Sequence, residues 1–346
     1  MSMFDLTGKN AAILGGGGIL GADMAKFKVV MTDDRHKTYE EEKAVLNSIG
    51  ADLIIENCNT AEDVISKCKD ADGILVNLAP MPAEVIEKLE KCKVVSRYGV
   101  GYDNVDVNAC TKKGIYVTNV PDYCAEEVSD QALALIMGCA RKIARRDAQV
   151  REGKWNIGKA DPMYRIAGKT FAFLGFGMIG RCLYRKIKGL NFSKVMVFDP
   201  FLDEQTIAAI GAEKVDWETA LKNADFISVH MPLNGKTRGI INAEAFAMMK
   251  PTAIIVNTSR GPIIDEAALV NALKNGQINS AGLDVHSKEP LEADNPLKKI
   301  ENCILTDHAG WYSEEAMSEL KRKAAENVRD VLLAGKPTYP VNKIEK

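Results

Sequence analysis

The stretch TFAFLGFGMIGRCLYRKIKGLNFSKVMVFD occupies residues 170–199. It opens on an apolar run, "TFAFL", that reads as a strand. Glycines follow at 175, 177 and 180 in G-x-G-x-x-G spacing. Ile179–Leu190 carries a helical pattern, and Lys194–Asp199 reads as a second strand ending on an acid. Asp199 stands 19 residues beyond Gly180. Strand before, helix after and an acid about 20 residues on are the conditions that give weight to an otherwise weak glycine pattern. Gly175 permits the tight turn, Gly177 lets a pyrophosphate approach the backbone, and Gly180 lets helix and strand pack closely. The first helical residues, Met178 and Ile179, turn the positive end of the helix toward that pyrophosphate. Asp199 can accept from both ribose hydroxyls and repels a 2′-phosphate. Pro200–Glu204 holds no Arg or Lys to receive one, so NAD is expected rather than NADP.

Working outward, strand candidates continue at Phe226–His230, Ala253–Asn257, Ser280–Val285 and Cys303–Thr306, with helices such as Glu266–Asn275 between them. Six strands with intervening helices match a dinucleotide-binding sheet. Upstream, a separate alternation runs through strands Phe27–Met31, Asp52–Ile55, Gly73–Val76 and Lys93–Ser96, with helices at Tyr39–Ile49, Ala61–Lys67 and Ala83–Lys88. That spacing argues βαβ units and another parallel sheet. A helical pattern from about Ala125 to Arg151 is long enough to bridge two domains or to pack on a second subunit. A charged amphipathic helix is expected from Ser313 to about Leu333. A second glycine run, "LGGGGILG" at Leu14–Gly21, has barely one turn of helix behind it and no following strand with an acid. Residues 1–26 are therefore expected to be an appended fragment without a cofactor role.

Composition narrows the class. At roughly 100–200 residues per domain, 346 residues suggest two. A net charge of −2 and the absence of long basic runs argue against nucleic acid or a polybasic membrane contact. No apolar stretch approaches the ~20 residues of a bilayer span, and no basic leader with a long apolar core opens the chain. The eight cysteines show no C-x-x-C spacing, which suits reduced thiols in a cytoplasmic protein. His230 and His286 lack the spacing of a helical metal pair, so packing roles and no metal are expected.

Four stretches each follow a strand candidate: "SRYGVGYDNVD" (Ser96–Asp106), "VNTSRGPIID" (Val256–Asp265), "LDVHSKEP" (Leu283–Pro290) and "DHAGWYSEE" (Asp307–Glu315). Loops at the carboxyl ends of strands are where an α/β sheet binds ligands. Together with the glycine loop, over about Phe27–Asn342, these motifs resemble the D-isomer-specific 2-hydroxyacid dehydrogenase family. "HAGWYSEE" is most similar to the branch of the C-terminal-binding proteins. The resemblance implies a flavodoxin-like substrate domain (27–122 and 311–346) and a Rossmann NAD-binding domain (123–310), both doubly wound parallel sheets, linked by two crossing helices. It implies His308 as general acid/base, Glu289 as its carboxylate partner and Arg260 as the substrate-orienting cation. Val100 and Gly101 offer N–H groups to the substrate carboxylate. Met231, Pro232, Thr237, Thr258, Ser259, Arg260, Asp284, His308 and Gly310 fall where the family lines the cofactor. A homodimer through the NAD domain is implied as well.

The chemistry agrees. Reducing a 2-keto acid needs a hydride at the carbonyl carbon and a proton at its oxygen, and an imidazolium gives that proton near neutral pH. A carboxylate favours the imidazolium. An arginine fork polarises the carbonyl. Trp311, where relatives carry a small glycine, suggests an apolar wall for the substrate side chain. Asp307 replaces the family's usual Pro beside the histidine. The leading expectation is an NAD-dependent 2-keto acid reductase acting on a small 2-keto or 2-hydroxy acid. The alternative is an NAD(H)-sensing scaffold or corepressor like the C-terminal-binding proteins.

Overall fold

The computed structural model describes residues 26–34, 38–155 and 161–344. The expectations for residues 1–25, including the glycine run at Leu14–Gly21, lie outside the described residues. Twelve strands are described, all paired in parallel. The first sheet comprises β1 (Phe27–Met31), β2 (Ala51–Ile55), β3 (Gly73–Val76), β4 (Val94–Arg97) and β5 (Tyr116–Thr118) in the order β2-β1-β3-β4-β5. That is a flavodoxin-like order. The second comprises β6 (Thr170–Leu174), β7 (Lys194–Phe198), β8 (Glu213–Lys214), β9 (Phe226–Val229), β10 (Ile254–Asn257), β11 (Ser280–Leu283) and β12 (Cys303–Leu305). Its order is β12-β11-β10-β9-β6-β7-β8, with the progression of the strands reversing at β6, where the glycine loop begins. β9 and β10 are buried at every residue, as parallel strands covered on both faces must be.

Three features differ from the sequence reading. β8, a two-residue exposed edge strand, makes the second sheet seven-stranded rather than six. The three-residue β5 adds an edge to the first. The long helix is two helices, Ala125–Arg141 and Ile143–Arg151, broken at Lys142. Lys142 is left-handed (φ 56°), and its side chain turns back to Asp161. Arg145 and Arg146 meet the same carboxylate at 3.1 and 3.0 Å. Each half keeps a helical pattern, so periodicity alone runs across the break.

Two helices carry the chain between the sheets. Ala125–Arg141 packs on the second sheet: a Cβ at Gly138 would lie 2.9 Å from Ile304 and one at Gly282 2.9 Å from Leu135. Glu314–Ala334 packs on the first, with the Ser96 hydroxyl donating to the Ala324 carbonyl at 2.9 Å. Ser313 caps that helix at Ala316 N–H and also donates to Glu127 at 2.8 Å, which joins the two helix starts.

Candidate active site

The glycine loop takes the form its sequence requires. Gly175 has φ +90°, and a Cβ there would sit 2.8 Å from the His230 carbonyl group, so neither backbone nor space admits a side chain. Gly177 faces open space, while Gly180 lies 3.3 Å (Cβ position) from the Gly175 carbonyl oxygen. Helix Met178–Ile187 starts at Gly177 with no side-chain cap, which leaves its first N–H groups for a ligand. Asp199 closes the cradle. Its Oδ2 accepts from Phe176 N–H at 2.8 Å and its Oδ1 from Phe201 N–H at 2.9 Å. Met231 is buried and Pro232 exposed beside this edge. The Thr237 hydroxyl donates to the Pro232 carbonyl at 2.6 Å. Thr258 is 9% exposed, yet its Oγ1 has no hydrogen-bond partner among the described residues. An uncapped helix start, a side-chain-free turn and an orphaned buried hydroxyl at the strand ends fit a dinucleotide.

The loops after β10, β11 and β12 leave neighbouring strands. Asn257 holds the first of them, accepting from Ser259 N–H at 3.0 Å and donating to the Arg260 carbonyl at 2.9 Å. The Ser259 hydroxyl donates to the Val229 carbonyl at 2.8 Å. A Cβ at Gly261 would fall 2.0 Å from the His286 carbonyl group, so the first two loops touch backbone to backbone. Glu289 Oε1 accepts from His286 N–H at 2.9 Å, and Oε2 lies 2.7 Å from His308 Nδ1. Burial opposes the Glu289 charge, but the hydrogen bonds from His308 and His286 outweigh it and hold the carboxyl below its usual range. His308 adopts φ 59°, and its Nε2 has no hydrogen bond among the described residues. Asp307 is exposed, and Glu289 holds the imidazole.

Asp284 sits behind this loop at 2% exposure. It accepts from Thr306 Oγ1 at 2.6 Å, from Ala309 and Gly310 N–H at 3.2 and 2.9 Å, and from Gln131 at 3.3 Å. His286 donates from its ring Nε2 to the Thr306 carbonyl oxygen at 2.8 Å. His230 is a packing residue, 2.8 Å from Ser228 Oγ and beside the Phe173 ring, and burial pushes its imidazole down to about 4.

Across the cleft, Arg260 Nε donates to Asp103 at 2.9 Å. The Arg260 guanidinium also lies where a Gly101 side chain would be, 1.5 Å from that Cβ position. Gly99 makes the same room for Arg97, at 1.9 Å. Arg97 was quoted in the sequence motif without a role. Its guanidinium donates to the Tyr98 carbonyl, and its Nε is buried without a partner among the described residues. Burial first, and Arg260 second, push it down to about 10. The available signal was position: Arg97 ends β4, at the carboxyl edge of the sheet where ligand loops begin. Trp311 is half-buried, 6.5 Å from the Tyr123 ring and edge-on to Tyr312 at 5.6 Å. The Tyr123 hydroxyl reaches to 3.6 Å from the Gly99 Cβ position, which joins Trp311 to the arginine pair. Asp103, Gln131 and Thr306 also escaped the sequence reading.

A dinucleotide cradle opening beside an imidazole–carboxylate pair and two guanidinium groups defines a nicotinamide-dependent oxidoreductase. The chain belongs to the D-isomer specific 2-hydroxyacid dehydrogenase family, whose NAD binding domain matches residues 133–310. It is 42% identical over 269 residues to a glyoxylate reductase of Korarchaeum cryptofilum, covering 77% of this chain and 81% of that one. A D-3-phosphoglycerate dehydrogenase of Methanocaldococcus jannaschii is 38% identical over 328 residues, 92% of this chain but 61% of the longer relative. The crystal structure of a glyoxylate reductase from Paecilomyes thermophila superposes with TM-score 0.83 at 29% identity, over 91% of this chain and 98% of that one. Among the described residues, no helix is long and apolar enough to cross a membrane, and no three His, Cys, Asp or Glu side chains gather as a metal site.

Proposed function

We propose that the protein is a cytoplasmic reductase of small 2-keto acids, with the reverse oxidation of D-2-hydroxy acids. The observation that carries this reading is the His308–Glu289 pair at 2.7 Å with Nε2 left free. Bound NADH supplies the hydride. The substrate carboxylate enters between Arg97 and the Val100 and Gly101 N–H groups. Arg260 binds the keto oxygen and a carboxylate oxygen and stabilises the charge that develops there. His308, protonated, gives its Nε2 proton to that oxygen, and Glu289 stabilises the imidazolium until transfer. Asp284 keeps the histidine loop in place through Thr306, Ala309 and Gly310. Asp199 selects NAD by holding the ribose hydroxyls, while Gly175, Gly177 and Gly180 admit the pyrophosphate. Met231, Pro232, Thr237, Thr258 and Ser259 line the remainder of the cofactor.

The experiment is a panel of 2-keto acids (glyoxylate, hydroxypyruvate, pyruvate and longer apolar members) with NADH, beside a peptide-binding screen. Turnover supports the reductase. Absence of turnover with every acid, together with NADH-dependent peptide binding, supports the scaffold reading instead. We also propose a homodimer through the NAD domain. Ile143, Val150, Trp155 and Tyr164 are exposed along one segment of it and would be covered by a second copy. A monomeric mass in sedimentation would refute this.

A further inference from the structure

The proton-transfer chemistry leaves unused a buried cluster of ionisable groups behind the substrate loop. Glu42, on helix Glu40–Asn47, is fully buried. Tyr98 is 2% exposed and Lys321, on helix Glu314–Ala334, 3%. The Tyr98 hydroxyl donates to Glu42 Oε1 at 2.9 Å. Lys321 Nζ lies 2.6 Å from Glu41 Oε2, 3.3 Å from Thr38 Oγ1 and 3.8 Å from Glu42 Oε2. Burial raises the Glu42 carboxyl and pushes the Tyr98 phenol upward, so Tyr98 keeps its proton and remains the donor. Buried ionic groups are poor sources of stability, since apolar packing of the same volume usually does as well. Stability alone therefore does not account for this cluster.

Its place in the chain gives another account. Side chains alternate along β4, so Ser96 and, just past the strand end, Tyr98 lie on the face covered by helices Glu40–Asn47 and Glu314–Ala334, while Arg97 ends the strand on the other face, with its guanidinium at Gly99. The turn that follows contains glycines at 99 and 101, which hold no conformation of their own. Neighbouring groups tie its carbonyls: Val120 N–H to Gly99 at 3.0 Å and Asn119 Nδ2 to Val100 at 2.7 Å. The Tyr98 side chain ties the same turn to helices Glu40–Asn47 and Glu314–Ala334. The second of these starts directly after the His308 loop.

We propose that Tyr98 is a positioning residue for substrate binding. Held through its hydroxyl by Glu42, with Lys321 behind, it sets the Arg97 guanidinium and the Val100 and Gly101 N–H groups at the spacing a 2-keto carboxylate needs. The inference rests on the 2-keto acid reading of the site.

The test compares full-length Tyr98→Phe, Glu42→Ala and Glu42→Gln with the parent protein. Loss of one buried hydrogen bond should raise KM for glyoxylate about five- to tenfold in Tyr98→Phe and Glu42→Ala, with kcat within about twofold. NADH affinity should not move. Glu42→Gln, whose amide oxygen still accepts from the phenol, should stay within about twofold of the parent. A second readout needs no turnover: oxamate, a carboxylate analogue of a 2-keto acid, titrated into the protein–NADH complex by nicotinamide fluorescence, should weaken in parallel with KM. Unchanged KM and oxamate affinity in Tyr98→Phe would overturn the proposal, whatever its melting temperature. So would equal losses in NADH affinity, or a Glu42→Gln as weak as Glu42→Ala. If the parent binds oxamate but reduces no 2-keto acid, the functional reading fails while the oxamate comparison still decides the role of Tyr98.

Discussion

Glu289→Gln separates charge from shape at the proton donor. The amide oxygen can still accept from His286 N–H, as Glu289 Oε1 does at 2.9 Å, so the loop keeps its form. What disappears is a negative charge whose oxygen lies 2.7 Å from His308 Nδ1. Charge centres about 4 Å apart attract by about 1 kcal/mol in water and about 4 kcal/mol at an effective dielectric near 20. The two side chains are 38% and 36% exposed. Solvent therefore screens the pair, and the loss falls toward the lower bound, about 1–2 kcal/mol. At ~1.4 kcal/mol per tenfold change, that is a fall of about five- to thirtyfold in kcat/KM for glyoxylate reduction, because the carboxylate stabilises the imidazolium that gives the proton. NADH affinity should not move. Initial rates with glyoxylate and NADH measure this. An unchanged kcat/KM would detach Glu289 from the proton donor. An equal loss in NADH affinity would point to damage to the loop.

Asp199→Ala should weaken NADH use and improve the relative use of NADPH; an unchanged ratio in steady-state kinetics would remove Asp199 from the ribose site. Trp311→Gly should lower kcat/KM for long apolar 2-keto acids, by about 1–3 kcal/mol of lost contact, and leave glyoxylate much less affected. Equal losses would place Trp311 in the core shared with Tyr123. His230 links folding to pH. Burial pushes its folded pKa from 6.5 to about 4, so the unfolded chain takes up the proton first as pH falls. Its contribution is complete above the unfolded value and is lost on acidification through that window, about 2 kcal/mol between pH 7 and pH 5. Urea midpoints for the parent and His230→Phe should converge on acidification, and parallel curves would contradict the shift.

Much of this architecture is legible in one dimension, because its signals are local. β1 and β3 fall where the apolar runs stand, and the Gly175–Gly180 loop can be read from glycine spacing because the turn, the close approach to His230 and the helix start are all nearby in sequence. β8 was missed because an exposed Glu-Lys pair carries no apolar pattern. The break at Lys142 is not visible from periodicity because each half keeps a helical pattern, and the carboxylate that holds Lys142 and Arg145, Asp161, lies beyond the second helix. Gln131 joins Asp284 and Thr306 from 153 and 175 residues away, with no spacing to betray it.

The substrate side of the site shows the same limit in sharper form. In sequence, R-x-G-x-G invites an account of glycines as backbone donors, and Arg97 beside them reads as an ordinary charged residue at a strand end. In the fold, the two glycines have a second job: each missing side chain leaves room for a guanidinium, Arg97 at Gly99 and Arg260 at Gly101. Those two arginines, one ending β4 and one in the loop after β10, are far apart in the chain, so their pairing cannot be seen before the sheets are assembled. Once paired, they repel; Asp103 bonds Arg260 directly, and Asp103 and Asp33 offset only part of the cost at Arg97. The lowered proton affinity of Arg97 comes first from burial and then from Arg260, and the neighbouring carboxylates do not cancel it. On the proposed 2-keto acid reading, an entering carboxylate would supply a further anion and relieve both costs together. A site tensioned in this way would favour a small acid over a neutral carbonyl compound, and it would do so before the histidine or the hydride takes part.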